Sequence, residues 1–182
     1  MTITQTPLVD LYLIQPKAFL DERGYFMEVS NDSRTKGSVL DSYNWIQENE
    51  SMSSKGVLRG MHFQKGEYAQ AKLVRVILGE VFDVAVDLRE SSPTFGRWFG
   101  IYLSGENKTQ LLVPRGFAHG FLVISESAIF SYKCDNFYAP EYDSGILYND
   151  AEVGIEWPEV NTELRLSPKD LNLSTLRTGY RF

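Results

Sequence analysis

The two histidines are the residues of this chain whose chemistry is most informative. His62 lies beside Arg59 in the largely apolar residues 56–64, and His119 lies in the glycine-containing residues 114–121. A polar side chain in an apolar strand costs free energy unless it has a partner or a function. Imidazole titrates near neutral pH, so a histidine inside a barrel indicates general acid–base catalysis. We therefore expect an enzyme whose site lies in the interior of a β-barrel.

Such a base works together with three further groups. A carboxylate fixes its tautomer, a tyrosine supplies a proton from elsewhere, and Lys72 or an arginine could stabilise oxyanion charge. The chain contains all these residue types, but their spacing alone does not bring them together. Strict alternation even places Arg59 and His62 on opposite faces of their strand. Gly60 between them permits the bend or bulge that would bring both to one site.

The same segments raise the question of a metal site. Cupin-type β-barrels often bind a metal through two histidines and a glutamate on one segment and a histidine on another. Here Gln64 stands where the second histidine would be needed, and Glu67 comes too early in the chain. Two histidines without further good ligands make a poor transition-metal site. We favour a site without a metal.

Composition narrows the class of protein. The 182 residues suit one domain, residues 1–182, with a substantial core. A net charge of -6 argues against non-specific nucleic-acid binding but leaves room for a small anionic ligand. Cys134 is the single cysteine, which excludes an internal disulfide and favours a reducing compartment. With no bilayer-length apolar run and no signal-peptide pattern in residues 1–7, we expect a cytoplasmic protein without a membrane partner.

Short strands separated by glycine and proline turns dominate residues 55–134 and predict a mainly β sandwich or barrel. Residues 72–78 and 81–88 are predicted as two strands of a hairpin, joined by a tight turn at Gly79 and Glu80. Further strands are predicted at 98–103, 110–113, 120–124 and 128–134.

Two segments have little periodicity. Residues 31–48 are predicted to form a short helix or an irregular loop. The tail, residues 157–182, carries two prolines and is expected to pack over the barrel as short helices and loops.

A series of short motifs gives a more specific indication. They are residues 21–26, 47–51, 56–64, 70–76, 83–89, 92–96, 114–121, 132–133 and 166–170. Each is weak alone, but all of them in order are specific. On these motifs the chain resembles the dTDP-4-dehydrorhamnose 3,5-epimerase family from about residue 7 to 175. The resemblance implies a cupin-type jelly-roll β-barrel or sandwich with a few short helices, and a homodimer in which the partner chain supplies some nucleotide contacts.

The resemblance also implies a role for each site residue. His62 would be the base and Asp170 its carboxylate partner. Tyr132 would be the acid on the opposite face of the sugar, and Lys72 would lie beside the ketone oxygen. Arg59 and His119 would line the same pocket. The nucleotide and pyrophosphate end would comprise Arg23, Phe26, Glu28, Gln47, Asn49 and Tyr138.

The implied substrate is dTDP-4-dehydro-6-deoxy-D-glucose, and the product is dTDP-4-dehydro-beta-L-rhamnose. A 4-keto group acidifies the protons on C3 and C5, so that each centre can invert through an enolate. This chemistry needs no redox cofactor, and the sequence shows no glycine-rich dinucleotide fingerprint. We expect no cofactor.

Each candidate residue also has an ordinary structural interpretation. His119 would bridge backbone groups near a turn, Lys72 would be solvated at a strand start, and Tyr132, like Tyr138, would fill a core position. Asp170 would cap a helix N-terminus, and Arg23 and Arg59 would be surface residues. For Asp83 and Asp87, which share one strand face, we favour solvated or structural roles.

Other functions remain open from the sequence. The nearest is a mono-epimerase of the same fold that inverts C3 or C5 only. A related sugar ketoisomerase suits Tyr132 and the His62–Asp170 pair less well. From other classes come a non-enzymatic sugar-nucleotide binding protein, which would need no acid–base set, and a metal-dependent cupin oxygenase.

Overall fold

Antiparallel β-strands make up most of the regular structure. The structure, a computed structural model, describes residues 1–182 apart from the side chain of Asp32. The strands are β1 (Thr2–Gln5), β2 (Tyr12–Gln15), β3 (Ala18–Asp21), β4 (Gly24–Met27), β5 (Gln47–Ser54), β6 (Leu58–Gln64), β7 (Lys72–Leu78), β8 (Glu80–Asp87), β9 (Trp98–Ser104), β10 (Gln110–Val113), β11 (Phe117–Val123), β12 (Ser127–Cys134) and β13 (Asp143–Gly145). Helical segments are α1 (Asp32–Thr35) and short 3-10 helices at Val39–Ser42, Gly66–Tyr68, Pro140–Tyr142 and Asp170–Asn172.

Two sheets enclose the core. The larger has the strand order β1-β2-β10-β7-β12-β5, and the smaller has the order β13-β6-β11-β8-β9. Strands β3 and β4 form a separate two-stranded hairpin. The mainly β architecture predicted from the sequence is confirmed.

Alternation along the strands explains why the sheets stack. In β8, Val81 and Ala85 belong to the apolar cluster between the sheets, whereas Phe82, Val84 and Val86 belong to a second cluster on the other face. Side chains two residues apart share one face of a strand. A strand that is apolar on both faces must be covered on both sides, and here the C-terminal segment supplies the second cover.

The predicted hairpin of residues 72–78 and 81–88 is wrong. Both strands exist, but β7 pairs with β10 and β12, whereas β8 pairs with β9 and β11 in the other sheet. Gly79 has a φ of 78°, a conformation that favours glycine, and here the chain crosses from one sheet to the other. The sequence predicts where strands lie, whereas the choice of partner strand depends on long-range packing.

The remaining predicted strands are confirmed within a few residues, but β1 to β5 lie before the strand-rich region recognised in the sequence. Residues 31–48 do contain a short helix and a 3-10 turn, followed by the start of β5. In the tail, Trp157, Leu176 and Phe182 pack in the outer cluster against the smaller sheet. None of the described helices could cross a membrane.

Candidate active site

A cavity of about 450 Å³ opens between the two sheets. One wall comes from β6 and β11 of the smaller sheet, and the opposite wall comes from β5, β7 and β12 of the larger sheet. Phe121 and Phe130, whose ring centroids lie 4.2 Å apart, stack across the sheets and join the cavity to the core. The residues that line the cavity are Ser51, Val57, Leu58, Arg59, His62, Phe63, Gln64, Gln70, Lys72, His119, Gly120, Phe121, Phe130, Tyr132, Tyr138, Asp143, Arg165, Ser167, Lys169 and Asp170.

An irregularity in β6 brings Arg59 and His62 into the same cavity. The pairing register with β11 shifts between His119 and Phe121, opposite this part of β6. Gly60 has a φ of 133°, and a Cβ there would lie only 2.6 Å from the Cα of Gly120. Glycine is therefore required both for the backbone conformation and for the close approach of the two strands. The bend expected at Gly60 is confirmed.

His62 is paired with a buried carboxylate. Its Nε2 lies 2.7 Å from Oδ1 of Asp170, whose other oxygen accepts a hydrogen bond of 3.3 Å from the backbone N–H of Ser167. The contact is close but not aligned as a hydrogen bond, because Asp170 Oδ1 has no directed hydrogen bond among the described residues. His62 Nδ1 is also buried and without a partner there. The neighbouring carboxylate favours the tautomer protonated at Nε2, so Nδ1 is left with a lone pair.

The charge state of His62 follows from its surroundings. Burial lowers the pKa of His62 below its ordinary value, Lys169 and Lys72 lower it further, and Asp170 opposes them. The ring is therefore neutral at neutral pH, the state that a general base requires.

Lys72 and Tyr132 approach from the opposite wall. They lie on the neighbouring strands β7 and β12, and the Nζ of Lys72 is 5.9 Å from the ring centroid of Tyr132. Burial raises the pKa of Tyr132 above its ordinary value, which keeps the phenol protonated. Burial also lowers the pKa of Lys72. The wall facing His62 thus carries a protonated hydroxyl and a lysine amine that burial makes easier to deprotonate than an ordinary lysine.

His119 forms a second histidine–carboxylate pair. It lies opposite His62 in the β6–β11 register, and its Nε2 is 3.0 Å from each oxygen of Asp83. Asp83 is completely buried. The solvated role considered for Asp83 is therefore wrong, because the side chain is buried. The backbone-bridging role considered for His119 is also wrong, because its Nε2 contacts the side chain of Asp83.

Asp87 is buried as completely as Asp83, but its partners are different. It accepts hydrogen bonds from Arg89, Ser92 and Thr94. These bonds tie the end of β8 to the loop that follows it. The structural role expected for Asp87 fits this network, whereas the solvated one does not.

A polar cluster at the cavity rim was missed by the sequence analysis. The hydroxyl of Tyr138 donates to Oδ2 of Asp143 over 2.9 Å, and the ammonium of Lys169 contacts the same oxygen. Although burial raises the pKa of Asp143, hydrogen bonds from Lys169 and Tyr138 lower it below its ordinary value. Lys169 directly precedes Asp170, so the cluster fixes the segment that carries the partner of His62.

Gln64 also has a role that its position in the sequence did not reveal. Its Oε1 accepts from the N–H of Ala139 over 2.6 Å, and its Nε2 donates to the carbonyls of Tyr68 and Phe137 over 2.8 and 2.9 Å. The amide thus anchors the loop that presents Tyr138. The sequence could have indicated this role, because a buried glutamine in an apolar strand needs hydrogen-bond partners.

The cavity is more basic than the chain as a whole. Its lining includes Arg59, Lys72, Arg165 and Lys169 against Asp143 and Asp170, although the chain carries a net charge of -6. A local excess of cations attracts an anionic ligand, and arginine matches the geometry of phosphate oxygens.

Comparison with known proteins identifies the family of the chain. Residues 5–178 match the family model described as dTDP-4-dehydrorhamnose 3,5-epimerase. The enzyme of that name from Escherichia coli K12 is 51% identical over 176 residues, covering 97% of this chain and 95% of the relative. The chain belongs to the dTDP-4-dehydrorhamnose 3,5-epimerase family.

Solved structures of the family share the fold. A Legionella pneumophila dTDP-6-deoxy-D-glucose-3,5-epimerase in complex with dTDP-4-keto-L-rhamnose superposes with a TM-score of 0.93 at 45% identity, covering 100% of this chain and 98% of that one. A 3'-monoepimerase from Streptomyces bikiniensis, in complex with dTDP-quinovose, superposes with a TM-score of 0.86 at 30% identity, covering 95% and 87%. The cupin-like fold implied by the resemblance to the epimerase family is confirmed.

The residues expected at the nucleotide end of this epimerase-family chain divide into two groups. On β5, Gln47 donates to Oδ1 of Asn49 and accepts from the N–H of Tyr138. Asn49 lies opposite Tyr132 in the register of β5 and β12, so the two side chains share one face. Tyr138 therefore lines the cavity, and Gln47 and Asn49 lie next to it on β5 without lining the cavity themselves.

Arg23, Phe26 and Glu28 do not line the cavity of their own chain. Arg23 is exposed at the tip of the β3–β4 hairpin and pairs with Asp21, and Phe26 is 69% exposed on the same hairpin. Glu28 pairs with Arg34. The surface position expected for Arg23 is observed, whereas Arg59, although also exposed, lines the cavity.

Two other structural interpretations are wrong. Asp170 does not cap a helix, because Lys169 occupies the cap position and the Asp170 carboxylate faces His62. Lys72 is not a solvated strand end, because it lies in the cavity wall.

Proposed function

We propose that the chain inverts both C3 and C5 of dTDP-4-dehydro-6-deoxy-D-glucose and so forms dTDP-4-dehydro-beta-L-rhamnose, in dTDP-L-rhamnose biosynthesis. One observation carries the proposal beyond family membership. A neutral imidazole on one sheet and a protonated phenol on the facing sheet enter the same cavity. Inversion at carbon needs removal of a proton from one face and return of a proton to the other.

The reaction moves protons in a balanced cycle. The imidazole of His62 takes the proton from C3 or C5, and the C–H electrons form an enolate whose charge develops on O4. Lys72 donates a hydrogen bond to that oxygen, which is where electrostatic stabilisation has the largest effect. The hydroxyl of Tyr132 then protonates the carbon from the opposite face. The imidazolium and the tyrosinate return to their starting states by proton exchange with solvent.

The second histidine and the cationic residues bind the substrate in this scheme. His119 and Arg59 contact the sugar and its phosphates, and Tyr138 stacks on the nucleotide base at the rim. Gln47 and Asn49 complete this end. No step requires a metal or a redox cofactor, because no electron leaves the substrate.

We further propose that the enzyme is a homodimer in which the β3–β4 hairpin enters the site of the partner. Leu20 and Phe26 on this hairpin are 83% and 69% exposed, and exposed apolar patches commonly mark interfaces. Partner exchange would bring Arg23, Phe26 and Glu28 to a nucleotide that they do not reach in their own chain. The single buried Cys134 and the nucleotide-sugar substrate favour a cytoplasmic location.

A mono-epimerase is the second candidate, because a 3'-monoepimerase shares the fold and 30% of the sequence. NMR of dTDP-4-dehydro-6-deoxy-D-glucose incubated with the enzyme in D2O separates the candidates. Deuterium at both C3 and C5, with the L-lyxo product, supports the double epimerase. Label and inversion at one carbon only would replace the proposal by a mono-epimerase.

Two controls address the functions from other classes. A sugar-nucleotide binding protein would give no label at either carbon, and its dTDP binding would be indifferent to acid–base substitutions. His62→Ala in an epimerase should abolish turnover while dTDP binding persists. Stoichiometric iron in purified protein, together with activity that requires it, would instead favour a cupin oxygenase.

A further inference from the structure

His119 and His62 both pair with a buried aspartate, but their surroundings differ. Asp170 beside His62 also accepts the N–H of Ser167. Asp83 has only His119 as a hydrogen-bond partner among the described residues, with Nε2 3.0 Å from both carboxylate oxygens. Asp83 is 0% exposed, and His119 is 6% exposed. The Asp83 carboxylate is therefore shielded from bulk solvent and has no second protein donor among the described residues.

An ionised carboxylate without water or several donors needs a counter-charge or must take up a proton. Asp87 meets this need through Arg89, Ser92 and Thr94. For Asp83, the imidazole of His119 is the group in contact, and a protonated ring supplies the missing charge. Nε2 faces Asp83 while the same side chain lines the cavity, so Nδ1 is the nitrogen left to meet a ligand.

We propose that Asp83 is a positioning residue that holds His119 as a cation, with its Nδ1–H directed at an oxygen of the reacting sugar. This inference rests on the proposed function for the identity of the ligand, but the charge state of His119 does not depend on it. The two histidines of the cavity would then have opposite roles. His62 accepts protons, and His119 remains a permanent donor beside the developing enolate charge.

Other charged and titratable groups also line the cavity near His119. A positive His119 is opposed by two cationic side chains, Lys72 on β7 and Arg59 on β6. The neutral His62 and the protonated Tyr132 on β12 leave its charge unaffected. Asp83 acts on this cationic end as a whole, because it raises the pKa of Lys72 against the stronger lowering by burial. Asp83 is thus the buried anion beneath both donors.

NMR of the histidine ring nitrogens tests the proposal directly, because the chain has two histidines. Protein labelled with 15N-histidine is recorded from pH 6 to about 8, a range centred near the ordinary histidine titration. His62→Gln leaves His119 as the single signal and assigns it. We expect both nitrogens of His119 to stay protonated across the range. A bare nitrogen in the wild-type ring at pH 7 overturns the proposal, whatever the variants do.

Asp83→Asn should convert His119 to a neutral ring over the same range, and an unchanged His119 spectrum would contradict the proposal. Asp87→Asn is the matched control, because it removes a fully buried carboxylate from the same face of β8 without touching His119. Its His119 spectrum should match that of the wild type. If Asp83→Asn does not fold, the wild-type and His62→Gln spectra still decide the charge state.

Kinetics connect the charge to the reaction. Asp83→Asn should lower kcat on the order of 10- to 100-fold, as loss of a charged donor to an oxyanion does, with dTDP affinity unchanged. Failure of the proposed function would appear as no turnover by the wild type, with the NMR result intact. Failure of this inference would appear as an active wild type with a neutral His119.

Discussion

At the scale of single residues, burial distinguishes the proposed proton acceptor from the proposed proton donor. The same desolvation lowers the pKa of the His62 imidazole and raises that of the Tyr132 phenol, because in each case it disfavours the charged form. A neutral base and a neutral acid therefore coexist at neutral pH. This division needs no metal and no unusual residue type.

The pH dependence of kcat/KM should show this arrangement. Because the pKa of His62 is lowered, the base stays neutral at pH values where an ordinary histidine is protonated, so the acid limb should lie below about pH 6.5. The same sign applies to stability, since the unfolded chain binds a proton at His62 that the native state excludes. This destabilisation begins as pH falls below the unfolded value. An acid limb above pH 7 would contradict the assignment of His62 as the base.

The alkaline limb should belong to Lys72. We assign the limb to Lys72 because burial lowers its pKa from the ordinary lysine value, whereas burial raises the pKa of Tyr132. We expect the limb below about pH 10. Lys72→Arg should move it to higher pH in the same assay, and an unmoved limb would assign it to another group.

Tyr132→Phe should separate proton removal from proton return. The phenyl ring keeps the shape but has no proton to give, so turnover should fall by about 100-fold or more. His62 can still remove a proton and return deuterium to the same face, so label should enter the substrate in D2O without inversion. His62→Gln is the contrasting variant and should lose both exchange and turnover.

At the scale of elements, β6 is the strand on which the site depends. Its side chains would alternate between the cavity and the outer cluster, but the irregularity at Gly60 lets Arg59 and His62 reach the same space. A regular strand with any other residue at position 60 would remove one of them from the cavity.

Gly60→Ala is expected to destabilise the protein by about 3 kcal/mol or more, because the strained backbone conformation and the contact with Gly120 act together. Gly24→Ala is the matched control: φ is 126° there, but no atom lies within 4 Å of the added Cβ. It should cost about 1 kcal/mol, from the backbone conformation alone. Urea denaturation of both variants gives the comparison, and equal losses would show that the strand contact is unimportant.

At the scale of the whole molecule, the cavity of one chain holds the acid–base set, while part of the expected nucleotide end lies on the exposed β3–β4 hairpin. The proposed dimer resolves this separation. The exposed apolar side chains of the hairpin and the cavity rim of the partner would then form the two sides of one interface.

Mixing two impaired variants tests the shared site. Arg23→Ala should weaken substrate binding, and His62→Gln should abolish proton removal. After unfolding and refolding together, half of the dimers should be mixed, and each would contain one site with both residues intact. About a quarter of the wild-type activity should return. No recovery, or a monomer in analytical ultracentrifugation, would contradict the exchange of hairpins.

Much of this protein could be predicted from its sequence. The alternation of apolar residues indicates the strands, and the two histidines in apolar segments indicate the site, because both signals are local. Gly60 even indicates where β6 bends. The pairing of β7 and β8 with different sheets, the buried contact of Asp83 with His119, and the cluster of Tyr138, Asp143 and Lys169 depended on the tertiary structure. Each joins residues far apart in the chain, and which strands and loops meet is decided by the packing of the whole core.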